Sequence, residues 1–228
     1  VPLDVPVTDP TGVDLVEANF TAHSPVISIG APGGGLSYGQ TYIGDDWRHD
    51  VMGTVTVVPY GGTTRLLVTV MGEATLFGLS GGQWQPVHAD GSTLVASGSP
   101  YQYTYTSPSG AVAVLSTGLI GNNPIYGGDV ANIVSLTMPN GDRLDYHYAS
   151  TTFNTTIQNP WGNPIVKTWT TYRLQSVTSN RGYQLHMDYG RDATPTNFID
   201  LGAWTRMDRA TLLNNAVDYC SPTANACS

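Results

Sequence analysis

The chain has 228 residues, of which 40 % are hydrophobic and only 11 % charged, and it carries a net charge of −8 at neutral pH. That length and apolar content support a buried core without help from metals and exclude a disordered chain. Lys167 is the single lysine among nine basic residues, so no basic cluster exists to neutralise nucleic-acid phosphates or anionic headgroups, and no apolar run approaches the ~20 residues that would span a bilayer.

Glycine (26), proline (15) and tyrosine (13) are abundant, a composition suited to many short strands joined by tight turns. The sequence starts at Val1 without a basic-then-apolar leader, which reads as a processed mature form or as a segment of something longer. Asp9-Pro10-Thr11-Gly12 reads as a plain turn. Asn19-Phe-Thr21 and Asn154-Thr-Thr156 are glycosylation sequons by letter, meaningful only in a glycosylating host. The glycine run at 30–35 lacks the Lys-Ser/Thr of a phosphate-binding loop. Gly35-Leu36-Ser37-Tyr38-Gly39 and Gly78-Leu79-Ser80-Gly81-Gly82 both match the G-x-S-x-G nucleophile elbow. That motif needs a strand before the serine and a helix after it, and neither flank supplies them, so Ser37 and Ser80 are not expected to act as nucleophiles. Asp45, Asp46, His49 and Asp50 form the densest group of ligand-type side chains. They lack the spacing of a calcium loop and read as a solvated turn offset by Arg48.

Residues 54–58 and 65–71 flank a Gly-Gly turn and read as a hairpin. Tyr101, Tyr103 and Tyr105 alternate along one strand face, and further strands are expected at 111–115, 131–137, 165–177 and 183–189. The glycine- and asparagine-rich joint at 118–128 is where the chain would divide into 1–125 and 126–228, if it is not a single β-rich unit over 1–228. Only 203–217 has any helical character. The five histidines (23, 49, 88, 147, 186) show no metal-ligand spacing, and His147 and His186 read as surface residues of strands. Cys220 and Cys227 are spaced to close a small disulfide loop, as an exported protein would carry, the alternative being two free thiols; no histidine lies near enough in sequence to suggest zinc.

One internal similarity organises the second half. SLTMPNGDRLDYHY (135–148) and SVTSNRGYQLHMDY (176–189) align without a gap at a constant offset of 41 positions. Taking Pro139-Asn140-Gly141 as a three-residue hairpin loop, with glycine in the left-handed position, places Leu136 opposite Leu144 and Val134 opposite Tyr146. Arg143, Asp145 and His147 then lie on the other side. In the second copy, Asn180-Arg181-Gly182 is the loop, and Tyr183, Leu185, Met187 and Tyr189 share a face. Leu174 misfits, which calls for either a bulge or a sheet covered on both sides.

This pattern resembles the tyrosine-rich YD repeat of bacterial Rhs proteins, in which a glycine-centred turn leads into a strand ending in Tyr-x-Tyr or Tyr-Asp. The matching positions are Thr137, Gly141, Tyr146 and Tyr148, then Thr178, Gly182, Asp188 and Tyr189. Residues 12–55 are similar to the segment preceding the repeats in that family, and 216–227 to a closing segment found in some members. The resemblance implies a secreted or surface-associated bacterial polypeptide whose repeats build a winding β-strip, in many members a shell around a C-terminal effector. This chain is far too short to close such a shell.

The expected fold is therefore all-β, with antiparallel hairpins forming an extended, twisted strip or a β-sandwich and little or no helix. The expected role is a non-enzymatic structural scaffold with no cofactor or metal. Its partners would be further copies of itself through strand edges, or the rest of a longer Rhs-like chain. The alternative is a carbohydrate-binding or adhesive surface module, for which Trp47, Trp84, Trp161, Trp169 and Trp204 would supply stacking rings. Neither nucleic acid nor membrane insertion is expected.

Overall fold

The structure, a computed structural model, describes residues 21–31, 34–43, 46–99, 101–122, 128–158 and 162–227. Asp9–Gly12, Asn19, Asp45 and Trp161 lie outside them, as do the side chains of Asp46 and Trp47. The described residues are all-β and antiparallel, with one short α-helix among them. Its first strands are short: β1 (Thr21–His23), β2 (Ile27–Ile29), β3 (Leu36–Tyr38), β4 (Gln40–Ile43) and β5 (Asp46–His49). They pair as β1-β4-β5 and β2-β3.

A meander follows: β6 (Gly53–Tyr60), β7 (Thr63–Val70), β8 (Glu73–Ser80), β9 (Gln83–Pro86), β10 (Thr93–Ser97), β11 (Gln102–Thr106), β12 (Val112–Ser116) and β13 (Asp129–Thr137). Gly61-Gly62, Met71-Gly72 and Gly81-Gly82 recur every ten positions, each pair with positive φ at both residues. These are the two-residue hairpin turns whose twist matches that of the flanking strands. Neighbours pair in chain order, and β13 then pairs with β6 as well as with β12, so the eight strands close into a barrel. Leu66, Val68 and Val70 alternate inward along β7 and meet Val55, Phe77, Leu115, Ala131 and Ile133. Eight strands enclose a space that side chains alone can fill. A closed ring was not foreseen by the reading of a strip or sandwich.

The strip does exist, and it begins on the barrel wall. From β13 the sheet continues through β14 (Arg143–Ile157), β15 (Ile165–Ser179), β16 (Tyr183–Tyr189) and β17 (Met207–Asn214). One core runs from Val55 in the barrel to Leu185 and Met187 in the strip, drawing on both sides of the 118–128 joint. The β2-β3 pair packs against β16 and β17, where the Tyr38 hydroxyl meets His49 Nδ1 at 2.5 Å and donates to Met207 Sδ at 3.4 Å.

The 203–217 stretch is not one helix. α1 spans Phe198–Thr205, and the chain then turns extended into β17. Asn197 caps α1 by accepting from the Asp200 N–H at 2.8 Å. Leu201 and Trp204 bury against Phe153 and Trp169 on the outer half of the β14-β15 arm, forming a second, smaller core. Propensity in 203–217 is mixed, and this docking decides the boundary.

Candidate functional site

The two related hairpins are alike in detail. Gly141 donates its N–H to the Met138 carbonyl at 2.9 Å, and Gly182 donates to the Ser179 carbonyl at 3.0 Å; both glycines have φ +84°. These are type I turns closed by a left-handed residue, which glycine occupies without steric cost. The first ladder is Ser135↔Asp145, Leu136↔Leu144 and Thr137↔Arg143, and the second is Ser176↔His186, Val177↔Leu185 and Thr178↔Gln184. The two ladders are superposable at the 41-position offset.

Each ladder stops after three pairs, and the strands then part. Beyond Ser135 the edge of β13 pairs with β6, while β14 turns to β15 and places Tyr146 opposite Val177. The expectation of Val134 facing Tyr146 is thereby corrected: Val134 is instead the extra residue of a bulge against β12. Gln175, its counterpart 41 positions on, is the extra residue against β14. At each fork a tyrosine reaches back. The Tyr148 hydroxyl donates to the Ile133 carbonyl at 2.9 Å, and the Tyr189 hydroxyl donates to the Leu174 carbonyl. These carbonyls sit two residues beyond the end of each short ladder. The recurring Tyr is thus a clamp on a forked hairpin.

Both explanations offered for Leu174 hold. A bulge intervenes at Gln175, and the strip is covered on both faces: Gln175, Gln184 and His186 are all 0 % exposed. The surface reading of His186 is corrected accordingly. The cover is the chain end, closed by the Cys220–Cys227 disulfide and tied to β15 through Ser176 Oγ, which donates to the Pro222 carbonyl at 2.6 Å. His147 keeps to the outer face, half-buried, 2.8 Å from Thr178 Oγ1; burial holds its imidazole below the usual range.

A cavity of about 210 Å³ opens between the barrel mouth and the strip. Its lining includes Tyr148, Tyr189, Leu174, Met187, Asn132 and Arg173. Arg173 was read only as part of a strand, yet it is 5 % exposed. It pairs with Asp192 at 2.6 Å, donates to the carbonyls of Arg191 and Trp204 at 2.9 and 2.8 Å, and lies over the rings of Tyr189 and Trp204. Nothing in the local pattern marks an arginine for that position; its partners come from later segments. Burial raises the phenols of Tyr38, Tyr146 and Tyr148 well above the usual range, Asp50 adding to the first two. These hydroxyls are therefore un-ionised at neutral pH.

The other sequence candidates are dispersed. Ser37 is exposed in the middle of β3, and Ser80 ends β8 before a two-residue turn, so neither sits on a strand-to-helix elbow. His49 and Asp50 are partly buried rather than in a solvated turn: His49 Nδ1 lies 3.1 Å from Gln40 Nε2, and Asp50 Oδ1 is buried with no hydrogen-bond partner. Trp169 and Trp204 are core residues, and Trp84 is half-buried against the barrel core. Tyr105 is buried and Tyr101 is 62 % exposed. No described helix is long and apolar enough to cross a membrane, and the disulfide is consistent with an extracellular protein. Comparison of the chain with protein-family models, characterised proteins and solved structures gives no match.

Proposed function

We propose that the chain is a non-enzymatic β-scaffold segment of an exported, bacterial Rhs/YD-repeat-like protein, in which the barrel anchors a strip built from forked hairpins. The observation that carries this reading is the 41-position unit, repeated down to the turn, the three-pair ladder, the bulge and the tyrosine clamp. What recurs is machinery for building a sheet. No carboxylate recurs with it, and the one serine that does, Ser135 in the first copy and Ser176 in the second, is a buried ladder residue.

The scaffold grows in one direction. Barrel closure removes free edges over eight strands, and β17 is the last strand of the twelve-stranded sheet. β17 also pairs with β16 through a bulge at Asp208, between Asp188↔Arg209 and Tyr189↔Met207, as β15 does with β14 at Gln175. It therefore has the form of the opening strand of a third unit. Its partner is a strand from the rest of a longer chain or, in the isolated segment, the same edge of a second copy. Light scattering on a concentration series of the 228-residue chain is expected to show self-association that weakens when Lys replaces Leu213 in β17. A clean monomer at the highest concentration overturns edge-to-edge assembly.

A further inference from the structure

The chain end and the second unit bring together three side chains that sequence spacing kept apart. The sulfurs of Cys220 and Cys227 and a ring nitrogen of His186 lie within 4.8 Å of one another. His186 is fully buried, and neither of its ring nitrogens has a hydrogen-bond partner. A buried imidazole left in that state is costly unless something takes its lone pair. Asp188 Oδ1, also buried, stands 3.5 Å from His186 Nε2.

We infer that this corner is a redox-gated zinc site: when the disulfide is reduced, the two thiolates and His186 bind one Zn²⁺, with water in the fourth position. Two thiolates with one imidazole form a donor set that favours zinc over hard cations. Tetrahedral geometry with Zn–S bonds of about 2.3 Å separates the sulfurs to about 3.8 Å. That spacing requires the S–S bond to open but leaves the donors within their present neighbourhood. The loop stays in place on reduction because its Ser176–Pro222 hydrogen bond does not involve sulfur. Asp188 is placed to orient the imidazole once the metal is bound, and it is itself held by Arg209, whose Nε donates to Asp188 Oδ2 at 2.7 Å.

The chemistry balances with a phosphine as reductant. Phosphorus attacks one sulfur, the S–S bond breaks, water supplies the oxygen of the phosphine oxide, and two thiols result. Zn²⁺ then displaces a proton from each. Cys227 is only partly buried, which gives the reductant access. A small-molecule disulfide as oxidant reverses the step by thiol–disulfide exchange: it takes up two electrons and two protons and leaves as two thiols, the Cys220–Cys227 bond re-forms, and the metal loses both sulfur ligands. The site does not depend on the scaffold reading.

The test uses the full chain, oxidised or phosphine-reduced under anaerobic conditions. It is titrated with Co²⁺ as a spectroscopic probe and then with Zn²⁺ against a chromophoric chelator. The reduced chain is expected to bind one equivalent and to show thiolate-to-cobalt charge transfer with tetrahedral d–d bands; the oxidised chain binds none. His186→Leu should weaken zinc binding by about 100-fold or more, while far-UV circular dichroism of its oxidised form stays unchanged. If His186→Leu fails to fold, the Cys220→Ser/Cys227→Ser chain takes its place and must lose the metal. Failure of the reduced chain to take up metal, or undiminished binding in whichever variant folds, overturns the assignment.

Discussion

Met71 is the one described non-glycine residue with positive φ, at +54°, and its side chain is 51 % exposed at the tip of a turn. A left-handed backbone costs an ordinary residue about 1–2 kcal/mol, and here no packing offsets it. Met71→Asn creates the preferred Asn-Gly turn and should stabilise the chain by about 0.5–1 kcal/mol. The urea midpoint should rise with an unchanged slope. Asp50 is strained differently. Burial lifts its carboxyl above the ordinary range, although the backbone N–H groups of Gly39, Val51 and Asp50 itself pull the other way. The folded state therefore holds that proton more tightly than the unfolded state, and stability falls as pH rises through the gap between the two pKa values. Asp50→Asn removes this penalty. It should raise the thermal midpoint at pH 7, and the gain should shrink as the pH falls through the gap between the folded and unfolded values and be gone below the unfolded carboxyl's range, near 4. A gain that persists at pH 3 would contradict this account.

At the scale of single elements, the forked hairpin shows how far local pattern reaches. Leu136 opposite Leu144 follows from loop length and alternation alone, because a three-residue loop with glycine last allows one register. The fork does not follow, since the place where Ile133 and Val134 change neighbours depends on β6, which comes from a distant part of the chain. The Tyr148 and Tyr189 hydroxyl bonds were hidden for the same reason: each goes to a carbonyl 15 positions earlier that lies past the end of the hairpin ladder, on the far side of the fork. Tyr148→Phe and Tyr189→Phe should each cost about 0.5–1.5 kcal/mol by removing that hydrogen bond. Equilibrium urea denaturation checks it, and a loss well under 0.5 kcal/mol in both variants would mean that water serves the carbonyls equally well. The 203–217 segment carried the weakest periodic signal. Its division into α1 and β17 follows from Leu201 and Trp204 finding Phe153 and Trp169, contacts between segments 32 to 51 positions apart.

For the whole molecule, alternation and glycine turns make the strand-rich class visible in the sequence, whereas closure of the ring is a meeting of ends. Thr54 pairs with Asn132, 78 positions later, and no local signal records it. His186 with Cys220 and Cys227 is hidden likewise, because the three converge only once the chain end folds over β15 and β16. β13 is flanked by β12 on one side and by β6 and then β14 on the other, so it is both the last stave of the barrel and the first strand of the strip. This dual membership sets an order of events during synthesis. Until Asp129–Thr137 leaves the ribosome, the nascent chain holds seven staves with a lateral gap and no seat for the next hairpin. Bridging a gap of that sequence length is intrinsically slow. The arrival of one nine-residue segment therefore ends the aggregation-prone phase and starts growth of the strip in the same step.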